Sequence, residues 1–138
     1  MDASSASVGV GDLQPQLEIP PSSNSDILGN YLFASGEPTV STAPLFSGVS
    51  SFDGGADQLG QGVVSGREDI SKSGGNTPNA ALAGKYNVSR VSNNGRGAIL
   101  LTLPSGETIA VWVVNPSEVV GLDVDSSQTP PTILHFQQ

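Results

Sequence analysis

The chain has 138 residues and a formal net charge of -8, from 13 Asp and Glu against 5 Lys and Arg. That balance makes nucleic acid and anionic membrane poor partners, and no run approaches the roughly 18 apolar residues of a membrane-spanning helix, so no membrane insertion is expected. Cysteine is absent, which excludes disulfides and thiolate metal sites and leaves the redox compartment open.

Residues 1–26 read as an N-terminal arm or linker, low in complexity, with Ser22, Ser23 and Ser25 following Pro20 and Pro21. Within it Val8 and Val10, then Leu13, Leu17 and Ile19, fall on alternate positions, the spacing of a strand rather than of a tail. Pro15 is tolerated at a sheet edge or bulge. Such a segment can add to an exposed edge, in its own domain or in a neighbouring copy, where head-to-tail contacts propagate.

From residue 27 the pattern is strand after strand at about ten-residue spacing. The segments are 27–36, 45–53, 59–71, 80–91, 96–103, 107–115, 118–125 and 131–137. Turn chemistry separates them. Asn94-Gly95 supplies the two positive-φ positions of a type I′ hairpin, so Gly95 should fix register there. Pro104-Ser105-Gly106 and Asn115-Pro116-Ser117 are further tight turns, and Gly54-Gly55 and Gly74-Gly75 open longer loops. Tyr31 shares a face with Phe33, and Tyr86 shares one with Leu82 and Val88. From Ile109 to Val114 every position is apolar, with Trp112 in the middle, so that strand is covered on both sides or sticky on one. Eight antiparallel strands in up-and-down order close most economically into a small lipocalin-like barrel, which removes both sheet edges. A β-sandwich is the alternative. The domain reading is an arm at 1–26 and a β-domain at 27–138.

Candidate chemistry is sparse. His135, the single histidine, reads as an outward strand residue, with no nucleophile elbow or second imidazole to join it. Asp123 and Asp125 have the alternate carboxylates a calcium ion favours, but no Gly or closing Glu follows, and a solvated turn is the better reading of them. Glu68-Asp69 with Glu107 or Glu118 form a conceivable glycosidase carboxylate pair, whose separation a sequence cannot set. Arg67 beside Glu68 and Asp69 reads as a bidentate structural ion pair, and Arg96 as a structural residue of its hairpin. Asn87-Val88-Ser89 is a glycosylation sequon. Trp112, Tyr31, Tyr86 and Phe33 would make a platform for surface glycans, though aromatics at strand spacing are more often core, and Trp112 is expected to be buried. No cofactor and no catalytic residue is expected.

The order of short motifs resembles a β-domain family of secreted and cell-surface proteins of soil bacteria, acidobacterial in type. The resemblance runs from Gly29-Asn30-Tyr31-Leu32-Phe33 through 48–54 and 62–69 to Gly84-Lys85-Tyr86-Asn87-Val88, then Asn94-Gly95-Arg96-Gly97, Leu101-Thr102-Leu103, the stretch 114–119 and the ending 133–137. It lapses between Gly36 and Phe46, and the arm lies outside it. The resemblance implies an extracellular or cell-surface, β-rich module with no catalytic residues to carry over. The function expected from all this is a non-enzymatic structural module that self-assembles or adheres. One form of it is a filament subunit, a homo-oligomer joined by strand donation from the arm. The alternative is a lipocalin-like module binding a small apolar or sugar ligand.

Overall fold

The computed structural model describes residues 23–36, 44–88, 96–124 and 132–138. Val8, Val10, Leu13, Leu17, Ile19, Gly95 and Asp125 lie outside the described residues. A 3-10 turn over Asn24–Asp26 leads into eight strands: β1 (Leu28–Ser35), β2 (Leu45–Asp53), β3 (Gly62–Lys72), β4 (Gly75–Val88), β5 (Arg96–Leu103), β6 (Glu107–Asn115), β7 (Glu118–Asp123) and β8 (Ile133–Gln137). Each pairs antiparallel with the next, and β8 pairs with β1 through Phe33 opposite Phe136. The sheet is therefore a closed barrel. Of the two architectures open to the sequence, closure selects the barrel, in which every strand has two neighbours and no edge is left unpaired.

The interior follows from the period-two alternation of each strand. Tyr31 and Phe33 of β1, Phe52 of β2, Val64 of β3, Tyr86 and Val88 of β4, Ile99 and Leu101 of β5, and Leu134 and Phe136 of β8 are all buried. On β6 it is Ile109, Val111 and Val113 that face in. Close approach of neighbouring strands requires glycine at some inward positions. A Cβ on Gly66 would lie 2.0 Å from the carbonyl oxygen of Val49, and one on Gly48 would lie 2.2 Å from that of Arg67. Register sets Gly66 opposite Ser50 and Gly48 opposite Glu68, so two polar inward residues each sit beside a residue with no side chain.

Among the described residues the two ends of the barrel differ. One is plugged by residues that the sequence reading placed in the arm. Asn24 is buried, and its Nδ2 donates to the carbonyls of Gly55 (2.9 Å) and Gly60 (3.0 Å), while its Oδ1 accepts from Val88 N–H at 2.8 Å. Beneath this plug Tyr31, Phe52 and Tyr86 stack edge to face, with centroids 5.3 and 5.0 Å apart. Both phenols find partners: Tyr31 donates to the Pro116 carbonyl, and Tyr86 accepts from Gly54 N–H at 2.9 Å. The other end gathers the last residues of β1, β3, β5 and β7 and the first of β2, β4, β6 and β8. Gly36 N–H bonds the Ile133 carbonyl there, and Asp123 N–H bonds that of Thr132. No described helix is long and apolar enough to cross a membrane.

Candidate functional site at the unplugged end

At the unplugged end the interior stops being purely apolar. Glu68 faces inward because it is in phase with Val64, and it is only 4% exposed. Asp123 (3%), Thr132 and Ser50 are buried with it, and Glu107 reaches the same cavity from β6. Phe33, Phe46 and Leu101 supply part of the apolar lining. The cavity measures about 20 Å³, room for about one water-sized group. Phe46 also borders a wider groove of about 520 Å³ beside Leu45, Ile70 and Pro78 on β2, β3 and β4.

The electrostatics of this set are lopsided. Among the described residues no Lys, Arg or His lines the cavity. Burial, and then the charge of Glu107, push the Glu68 carboxyl up from 4.5 to about 7, as expected when a carboxylate leaves water without a cation to meet it. Glu107 is held at the rim by a hydrogen bond from the Ser105 hydroxyl. Ser50 Oγ is fully buried and makes no hydrogen bond among the described residues. The opposite end shows ordinary surface electrostatics. Asp53 is held below the usual carboxylate range by the N–H groups of Gly55 and Val63. The Gln61 and Leu59 N–H groups and an ion pair with Lys85 at 3.3 Å hold Asp57 low in the same way.

Several expectations need correction. Trp112 is not core: it is 38% exposed on the outer face of β6, with the Arg96 guanidinium 5.7 Å from its ring centroid. A strand that is apolar at every position carries no phase of its own, and register with β5 and β7 turns Ile109, Val111 and Val113 inward instead. The glycan platform therefore does not exist as drawn, because Tyr31, Phe33 and Tyr86 are inside the barrel and Trp112 is outside it. Arg67 does not pair with Glu68, since adjacent strand residues point to opposite faces; its guanidinium donates to the Asn79 carbonyl at 3.3 Å. Asp69 accepts from Asn79 N–H at 2.7 Å. Asp123 is no part of a solvated turn but an interior residue, and no described cluster of three potential ligands is placed to hold a metal ion. His135 is exposed on the outer face of β8. The sequon Asn87 donates its amide to Gly60 at 2.8 Å.

Of the imagined carboxylate pairs, the structure brings Glu68 and Glu107 together, while Asp69 lies outside the barrel and Glu118 at the plugged end. Sequence reasoning missed Ser50, Thr132 and the plugging Asn24. For Glu68 a signal existed in its alternation with Val64 and Gly66. For Asn24 none did, because a lone Asn among serines looks like a linker. No family model, no curated protein and no solved structure matches this chain.

Proposed function

We propose that this protein is a non-enzymatic binding module, extracellular or on the cell surface, that holds one small ligand in the unplugged end of its barrel. One observation carries the reading: among the described residues, four buried polar side chains, Ser50, Glu68, Asp123 and Thr132, line one cavity together with Glu107 amid apolar side chains. Folding alone gives no reason for the unpaired Ser50 hydroxyl or the desolvated Glu68 carboxyl. Burying a carboxyl without a cation costs stability, and an eight-stranded barrel interior is readily filled by apolar side chains. Convergent polar groups on an apolar floor are what orient a ligand. The extracellular setting draws on the motif resemblance. The test is amide chemical-shift mapping of the full chain against a library of small polar-headed compounds. Binding compounds should shift Ser50, Glu68, Asp123 and Thr132. Shifts confined to the outer face, or none, would overturn the reading.

The assembly reading keeps one supporting observation. Leu32 and Ile133 are exposed on the outer wall along with Trp112, a surface that a strand or a second copy would cover. Light scattering of the full chain and of a chain lacking residues 1–20, which keeps Asn24 in place, tests it. Equal monomeric masses would rule out assembly through the arm.

A further inference from the structure

The chemistry of the cavity narrows the ligand class, on the premise that the unplugged end is a binding site. Its polar groups are almost all acceptors. Glu68, Glu107 and Asp123 bring carboxylates, and Ser50 and Thr132 bring hydroxyls that accept as readily as they donate. No cationic side chain among the described residues lines the cavity. Ser50 Oγ, fully buried and without a partner among the described residues, lines the same cavity, and a buried hydroxyl gains free energy from a partner there. A ligand that complements this lining should therefore bring donors and positive charge, in the space of about one water.

We infer that the pocket takes a primary ammonium head, bonded by Ser50 Oγ and the carboxylates of Glu68 and its neighbours, with a short apolar body leaving past Phe46 into the adjoining groove. A primary ammonium offers three donors on one compact centre, which matches this acceptor set. A guanidinium is too broad for a space of about 20 Å³, and a trimethylammonium is both too broad and without donors. A hard divalent cation wants six or more oxygens, and no described trio of ligands is placed to begin such a shell. A carboxylate ligand brings no donor for Ser50 Oγ and meets the like charge of Glu107. The groove of about 520 Å³, where Leu45, Ile70 and Pro78 lie among polar residues that include Asp69, has the size that small organic ligands occupy. The chain's net charge of -8 favours the approach of a cation.

Binding should also release a proton. The carboxyl of Glu68, raised to about 7 by burial and by Glu107, is partly protonated at neutral pH, and an ammonium beside it favours the charged form. Among the described residues, Glu107 and Asp123 are the charged groups that share the cavity with it. Affinity should accordingly rise as pH climbs through 7.

The experiment is titration calorimetry on the full chain with butylammonium, butanol, butyrate, butyltrimethylammonium and potassium chloride, at pH 6 and pH 8 and in buffers of different ionisation enthalpy. Butylammonium should bind at least about tenfold tighter than butanol, tighter at pH 8, with a proton released to the buffer. Ser50→Ala should weaken it several-fold, and Glu68→Gln should weaken it and abolish the pH dependence; Trp112→Ala, on the outer wall, should leave it unchanged. Butanol binding as tightly as butylammonium overturns the ammonium assignment and leaves the binding reading standing. Potassium binding as well as butylammonium overturns it too, in favour of simple cation attraction. If no compound of the set binds, the ammonium assignment falls; if the compound library also gives no shifts at the mouth, the binding reading falls with it.

Discussion

Replacing Glu68 with Gln should stabilise the protein at alkaline pH, against the usual expectation that a core substitution destabilises. The native carboxyl titrates near 7, where the unfolded chain's titrates near 4.5. Between those values the native state holds a proton that the unfolded state has lost. Stability is thus full below pH 4.5, falls as pH rises to about 7, and is flat above. At about 1.4 kcal/mol for each pH unit, the span from 4.5 to about 7 comes to about 3 kcal/mol, most of it between pH 5 and pH 8. Gln keeps the shape and removes the charge, so the variant should match the wild type near pH 4.5 and exceed it by about 3 kcal/mol at pH 8. For a chain of this length that is a rise of about 10 °C in Tm. Asp53 and Asp57 act in the opposite sense. Their carboxyls are held low, so their contribution is lost only as pH falls below about 4, outside this window. Urea unfolding followed by circular dichroism at pH 5 and pH 8 measures the difference. A Gln variant with the wild-type pH slope, or one less stable than wild type at pH 8, would refute the account of a buried, unneutralised carboxyl.

Asn24→Ala removes three hydrogen bonds from the buried plug and should cost about 2–3 kcal/mol in urea unfolding. A loss under about 0.5 kcal/mol would show that the plug is not part of the fold. Gly66→Ala drives a methyl group toward the Val49 carbonyl, 2.0 Å from the ideal Cβ. It should cost about 1–3 kcal/mol as the β2–β3 pair is forced apart, whereas Gly74→Ala, with open space around it, should be close to neutral. Trp112, 38% exposed, should be quenched readily by acrylamide in the native state. A shielded, blue-shifted emission would mean that another segment or a second copy covers the outer wall of β6.

Much of the barrel was legible in the sequence because strand alternation and turn chemistry are local. The number and order of the eight strands, the turns at Pro104-Ser105-Gly106 and Asn115-Pro116-Ser117, and the inward phase of Tyr31, Phe33, Leu82, Tyr86 and Val88 follow from each segment's own residues, but β4 starts at Gly75, ahead of the expected Ala80, so Gly74-Gly75 belongs to a tight hairpin with β3 and not to a longer loop. Even the inward side of Glu68 was encoded in its spacing from Val64. What each strand meets at a given height was not, because that depends on register across the barrel, including the shifts between Glu68 and Ile70 and between Ala83 and Gly84. Register is what sets Gly48 beside Glu68 and Gly66 beside Ser50, and brings Glu107 and Asp123, 16 positions apart in the chain, to one mouth. Trp112 shows the limit most clearly. Its strand is apolar on both faces, so only pairing with β5 and β7 decides that the indole faces out. The plug shows the same limit from the other side, since Asn24 acquires its role only when chain closure brings Gly55, Gly60 and Val88 within reach of its amide.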